Sequence, residues 1–139
     1  MSYKKVAIQA AQVARDYKIS PVKTWQFFVE NEYPDSINSQ EKGCPKSTFL
    51  GLCQEGMLKD IPAGYYTNSQ HNKRYGLNAV QILLNNPDKK FEPSELWKEV
   101  LKLEEDKNKR LNSQMDIVLG LWENGLIESY TVLLKKSIL

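Results

Sequence analysis

The sequence predicts a mainly all-α protein made of two related three-helix units, helix-turn-helix-like in outline, with room for one short C-terminal strand. Three observations predict it. Apolar residues recur at three- and four-residue steps through most of the chain. Prolines and glycines stand where helices would start and stop. The nonapeptide LGLCQEGML (50–58) also returns as LGLWENGLI (119–127).

The first stripe runs from Tyr3 through Val6, Ala7, Ala10, Val13 and Ala14 to Tyr17, and its alanines allow a neighbour to pack closely. Ser20-Pro21 supplies an N-cap and a first-turn proline for a second helix carrying Trp25, Phe28 and Val29, ended by Pro34 and the polar run 35–43. Cys44-Pro45 opens a third, whose inner side is Phe49, Leu50, Leu52, Cys53 and Met57, with Gly56 as its stop. Residues 60–66, holding Pro62 and Gly64, read as a loop.

Thr67 to Gln70 has a capping-box pattern and starts a helix with Tyr75, Ala79, Ile82 and Leu83 that stops at Asn85-Asn86-Pro87. Pro93 starts the next, with Leu96, Trp97, Val100 and Leu101 inward, and EEDKNKR (104–110) reads as a solvated helix end or linker. Ser113 caps a last helix with Met115, Val118, Leu119 and Trp122, stopped by Gly125. The segment from Ile127 to Leu134, with Tyr130, Thr131 and Val132, suits one short strand.

Pro21 and Trp25 stand four apart, as do Pro93 and Trp97, at an offset of 72; Leu50 and Leu119 differ by 69. A three-residue difference in the loop before the third helix reconciles the two. The expected division is therefore 1–67 and 68–139, packed as one compact domain. Gly51 and Gly120 interrupt their helices at a cost of about 1 kcal/mol against alanine, which implies close approach of a neighbouring helix at each.

Composition limits function. The chain of 139 residues carries 19 basic and 17 acidic side chains, evenly divided as 8 and 7 through Thr67 and 11 and 10 beyond it. Net charge therefore argues for neither nucleic acid nor an anionic membrane. Two cysteines build no disulfide framework, the N-terminus has no signal-peptide pattern, and no apolar run reaches bilayer length, so a cytoplasmic protein is expected. One histidine and two cysteines nine positions apart offer no zinc spacing, and no glycine-rich phosphate loop is present, so neither metal nor cofactor is expected.

Two clusters could carry recognition. Cys44, Lys46 and Ser47 stand in the first turn of the third helix, where free N–H groups and lysine favour anions, as in a DNA-reading helix. The equivalent turn of the second half has Asp116, which would repel phosphate. Tyr65, Tyr66, Thr67, His71, Asn72, Lys73 and Arg74 then mix cations with aromatic faces, although tyrosines closing a core edge are the plainer account. Cys44 beside Lys42 and Lys46 has conditions that raise thiolate character, and His71 is the single available base, so a Cys–His enzyme stands as a formal alternative without a hydrolase signature.

The run GCPKSTFLGLCQEGMLKDIPAGYYTNSQHNKRYGLNAV (43–80), with its GCPK, FLGLC, IPxGxYT and NKxY elements, resembles a family of short bacterial proteins catalogued only as a domain of unknown function. The similarity covers the N-terminal half and weakens beyond Asn86. It implies a bacterial source and no activity. The expectation is a non-catalytic helical binding module with a protein partner; a winged-helix-like nucleic-acid binder and a cysteine-dependent enzyme are the alternatives, and a dimer is open.

Overall fold

The computed structural model describes residues 2–129 and 132–134, and among them seven helices and no sheet. They are α1 (Tyr3–Tyr17), α2 (Pro21–Glu32), α3 (Ile37–Gln40), α4 (Gly43–Gln54), α5 (Gln70–Asn85), α6 (Pro93–Leu101) and α7 (Gln114–Glu123). The fold is mainly helical, as the stripes require.

Local chemistry sets the boundaries, in places differently from expectation. Ser2 caps α1 by accepting from Lys5 N at 3.0 Å. α2 and α6 begin at their prolines, which lose nothing there because first-turn N–H groups have no helical partner. The polar run after Pro34 holds a short helix, α3, closed by Ser36, whose hydroxyl accepts from Ser39 N at 3.2 Å. Such a turn has too few residues for an apolar period to show. Thr67 does not close a capping box; Ser69 is the N-cap of α5, and Thr67 Oγ1 accepts from Ser69 N at 3.2 Å. Ser113 precedes α7 with φ of 69° and makes no side-chain cap. A capping-box contact forms instead at α6, where Glu95 accepts from Glu92 N at 3.0 Å.

The strand expected over 127–134 is absent among the described residues. Ile127 forms a single antiparallel bridge with Leu58, residues 132–134 are helical, and Tyr130 and Thr131 lie outside the described residues.

The two nonapeptides end in matching geometry. Gly56 (φ 71°) and Gly125 (φ 68°) take the left-handed conformation that glycine adopts without a Cβ clash. Met57 N then donates to Leu52 O and Leu126 N to Leu121 O, both at 3.0 Å, the closing bonds of Schellman turns. The two turns bond to each other reciprocally: Lys59 N donates to Leu126 O at 2.9 Å, and Glu128 N to Met57 O at 2.8 Å. The two donors stand 69 positions apart, as do the two acceptors.

Burial repeats at the same offset. The inner residues of α1 are Val6, Ala7, Ala10, Ala11 and Ala14; those of α5 are Tyr75, Gly76, Ala79, Val80 and Leu83. Each first helix crosses to the other half, since α1 packs on α7 and α5 on α4. The mid-helix glycines lie at these crossings. A Cβ on Gly51 would meet Lys73 Cα at 2.8 Å, and one on Gly120 would meet Lys4 Cγ at 2.7 Å. The close approaches implied by the two glycines are present.

α4 and α7 form the centre. Thr48 to Cys53 are six consecutive buried residues, and Ile117 to Leu121 five, so at about 100° per residue both helices are enclosed all round. Trp25 stacks on Phe49 with centroids 5.3 Å apart, and Trp97 meets Tyr75 edge-on at 5.1 Å. Each fully buried aliphatic or aromatic side chain contributes about 1.5–3 kcal/mol.

Candidate functional site

Residues singled out by sequence fall into separate environments. Cys44, Lys46 and Ser47 are half-buried in the first turns of α4. α4 and α5 run antiparallel, for Gly51 lies over Lys73 and Gly76 against Thr48. Cys44 is four residues before Thr48 and His71 five before Gly76, so at 1.5 Å per residue they stand roughly 13 Å apart along the axes. A thiol and an imidazole so placed exchange no proton directly. Cys53 is fully buried, and desolvation pushes its thiol well above the ordinary range.

The tyrosine-rich segment is held by Gln54, whose side-chain oxygen accepts from Tyr66 N at 2.8 Å and Thr67 N at 3.0 Å. Tyr66 donates to Pro62 O at 2.8 Å, while Tyr65, 76 % exposed, donates to Asn68. Asn72 donates to Ser69 Oγ and accepts from Gln114, joining α5 to α7. Both cations here are engaged: Lys73 pairs with Glu55 at 2.9 Å, and Arg74 grips Glu104 through two bonds of 2.6 and 2.9 Å. His71 Nδ1 lies 3.4 Å from the same guanidinium. Glu104 is buried rather than solvated, and its bonds to Arg74 hold its carboxyl below the ordinary range against the opposing desolvation. Lysine and arginine so neutralised have little charge left for a phosphate.

A different surface stands out, one that sequence reasoning missed. Tyr17 at the end of α1, Ile19 in the connection, and Val22 and Phe27 on α2 are exposed, Tyr17 at 72 % and Phe27 at 59 %. Beside them is an open cleft of about 440 Å³ lined by Val13, Ile19, Thr24, Phe27 and Phe28, with Lys23 as its charged member. Phe27 meets Phe28 edge-on at 5.1 Å.

The second half supplies the comparison that makes this surface informative. Tyr17, the last residue of α1, corresponds at the offset of 69 to Asn86; at the offset of 72 that relates Pro21 to Pro93, Val22 and Phe27 correspond to Ser94 and Glu99, and exposed Ile19 to buried Phe91. In the second half those three places are polar and the apolar one is covered. The signal lay in that alignment, read at its outward rather than its inward positions.

Among the described residues no three His, Cys, Asp or Glu side chains gather closely enough to hold a metal ion, and no helix is long and apolar enough to cross a membrane. A family model, Family of unknown function (DUF6979), matches residues 1–128 and so runs through both halves, beyond the 43–80 run that carries the clearest motifs. No curated protein and no solved structure matches the chain.

Proposed function

The chain belongs to that family of unknown function, and we propose from the geometry that it is a non-catalytic helical binding module that docks a protein partner on the α1–α2 face. The observation that carries this reading is the exposure of Ile19 and Phe27 in the lining of an apolar cleft, with Tyr17 and Val22 also exposed on α1 and α2, at positions that are polar or covered in the second half. Contiguous exposed apolar side chains cost solubility, and on soluble domains they mark interaction surfaces. The matching burial and hydrogen bonds also support a duplication that left one copy as scaffold and gave the other the docking face.

The nucleic-acid alternative asks α4 to enter a groove, and with Thr48 to Cys53 buried all round only its half-buried first turn is left to offer. The enzyme alternative asks Cys44 and His71 to meet, and the antiparallel register keeps them apart.

The test is selection of helical peptide ligands from a displayed random library, followed by mapping with variants. Ligands that bind the wild type and are lost with Phe27→Glu, but are kept with Lys46→Glu and Tyr65→Ala, support the reading. Loss with Lys46→Glu or Tyr65→Ala alone moves the site to the surface named from sequence and overturns it. Retardation of DNA or RNA that falls steeply with salt overturns the protein-partner assignment.

A further inference from the structure

We propose that the segment received by the α1–α2 face is an amphipathic helix whose bulky apolar side chains are flanked by acidic residues. The inference rests on the docking reading above and adds the chemistry of the occupant.

The argument begins with Lys23. Ser20 is the N-cap of α2 and Pro21 the first helical residue, so Lys23 is the third. A cation in the first turn faces the positive end of the helix dipole and lowers helix stability. The corresponding residue of α6 is Glu95, which uses its carboxylate to bond the N-cap backbone at 3.0 Å. α2 thus carries the unfavourable charge where its counterpart carries the favourable one, and it does so at the cleft, where Lys23 lines the wall.

Lys18 adds a second exposed cation at the same end, in the left-handed conformation (φ 56°) that brings the chain from α1 to Ile19. The nearby carboxylate of Asp16 is already held by Arg15 at 2.7 Å. Neither Lys18 nor Lys23 forms an ion pair among the described residues. Toward the far end of α2, Glu30 accepts from Gln26 at 2.6 Å, so the basic character is confined to the Ile19 end.

Two locally costly choices, apolar side chains in water and a lysine at the start of a helix, therefore fall on one small surface. An occupant that is apolar in the middle and anionic at one edge relieves both. A second copy placed face to face would bring Lys18 and Lys23 toward their own counterparts. The chain's C-terminal stretch YTVLLKKSIL has apolar residues but carries Lys135 and Lys136. Like charges disfavour both.

The experiment uses two synthetic helical peptides with one apolar pattern, leucine and phenylalanine at i, i+3, i+4 and i+7, flanked by glutamate in one and by lysine in the other. Binding to the full chain is measured by calorimetry and mapped by amide chemical shifts. The expected result is that the glutamate peptide binds about tenfold more tightly at low salt, with shifts over Tyr17 to Phe28, and that K18E/K23E reverses the order. Phe27→Glu abolishes binding of both peptides. If the two bind the wild type equally on this face, the acidic occupant is wrong while the docking face stands. If neither binds, or binding ignores Phe27→Glu, both readings fall. Phe27-dependent binding to phosphatidylglycerol vesicles with no peptide binding assigns the face to a membrane surface and overturns the proposal.

Discussion

Glu104 opens a stretch whose composition reads as solvated, yet its side chain is only 7 % exposed, because Arg74 reaches back from α5 and neutralises it. Glu104→Gln keeps the shape and removes the charge, so it is expected to destabilise the fold by about 1–2 kcal/mol near neutral pH, measured by urea unfolding. The sign with pH follows from the folded-state carboxyl lying below its ordinary range. Its contribution is fully present above the unfolded value of about 4.3 and fades as pH falls through the lower folded value. Wild type and Glu104→Gln should therefore converge in stability on acidification below about pH 4; a gap unchanged down to about pH 2.5 would sink the account. The mid-helix glycines differ in the same residue-level way. Gly51 has the backbone of α5 against it, so Gly51→Ala must push the α4 and α5 helices apart and is expected to cost about 1–3 kcal/mol despite the helix propensity it gains. Gly120 faces the side chain of Lys4, which can swing away by giving up its 2.9 Å exposed pair with Glu123, a pair worth at most about 1 kcal/mol. Gly120→Ala should lie within about 1 kcal/mol of wild type, and an inverted order in denaturant midpoints would show that the crossings are not as described.

Elements that end on proline or glycine were legible in the sequence because those residues act through the backbone alone, whatever packs on them. Pro21, Pro93, Gly56 and Gly125 mark boundaries in the structure as the residues predict. Caps that depend on a side chain choosing one partner among several were not legible. Thr67 turns to Ser69 instead of forming a capping box, and Ser113 enters α7 from a left-handed backbone without capping it. The loop before α5 belongs to the same class. Its order comes from Gln54, which gives its backbone oxygen to Gly64 N at 3.3 Å and its side-chain oxygen to Tyr66 N and Thr67 N. No period in the sequence reveals a glutamine bonding forward across a loop. Gln54→Ala removes two accepted bonds at once. Amide hydrogens of Tyr66 and Thr67 should then exchange at least about tenfold faster, with global stability lowered by only about 1 kcal/mol. Unchanged protection at both amides would mean that the loop is held by something else.

At the scale of the whole molecule the nonapeptide and the Pro/Trp spacing relate positions in the first and second parts of the chain, and the way those parts pack was not legible from them. Sequence offsets say which residues correspond and nothing about which copy they touch. α1 packs on α7 and α5 on α4, while the turns after α4 and α7 bond reciprocally across the centre. The candidate site divides similarly. Cys44, Lys46 and His71 could be named from residue type, but whether they meet depends on the antiparallel register of α4 and α5. The face of Tyr17, Val22 and Phe27 depends on what is left uncovered once α1 and α2 have packed. Interlocking has a direct consequence for truncation. A chain of residues 1–67 retains α1, α2 and α4 but loses α7 and α5, exposing the alanine stripe of α1 and the Gly51 side of α4. A chain of residues 68–139 suffers the reciprocal loss. Lacking those surfaces, neither half buries enough apolar area to offset chain entropy of about 1–2 kcal/mol per residue. Each half alone is expected to show weak, non-cooperative helicity by circular dichroism. Equimolar mixing should restore a cooperative melt with one-to-one stoichiometry, carried by the α1–α7 and α4–α5 contacts and by the bonds between Lys59 and Leu126 and between Glu128 and Met57. Cooperative folding of 1–67 alone would show that the first half is self-sufficient and that the crossed packing adds little. Full-strength peptide binding by that isolated half would show that the docking face, whose residues all lie in 1–67, forms without the second copy even as scaffold.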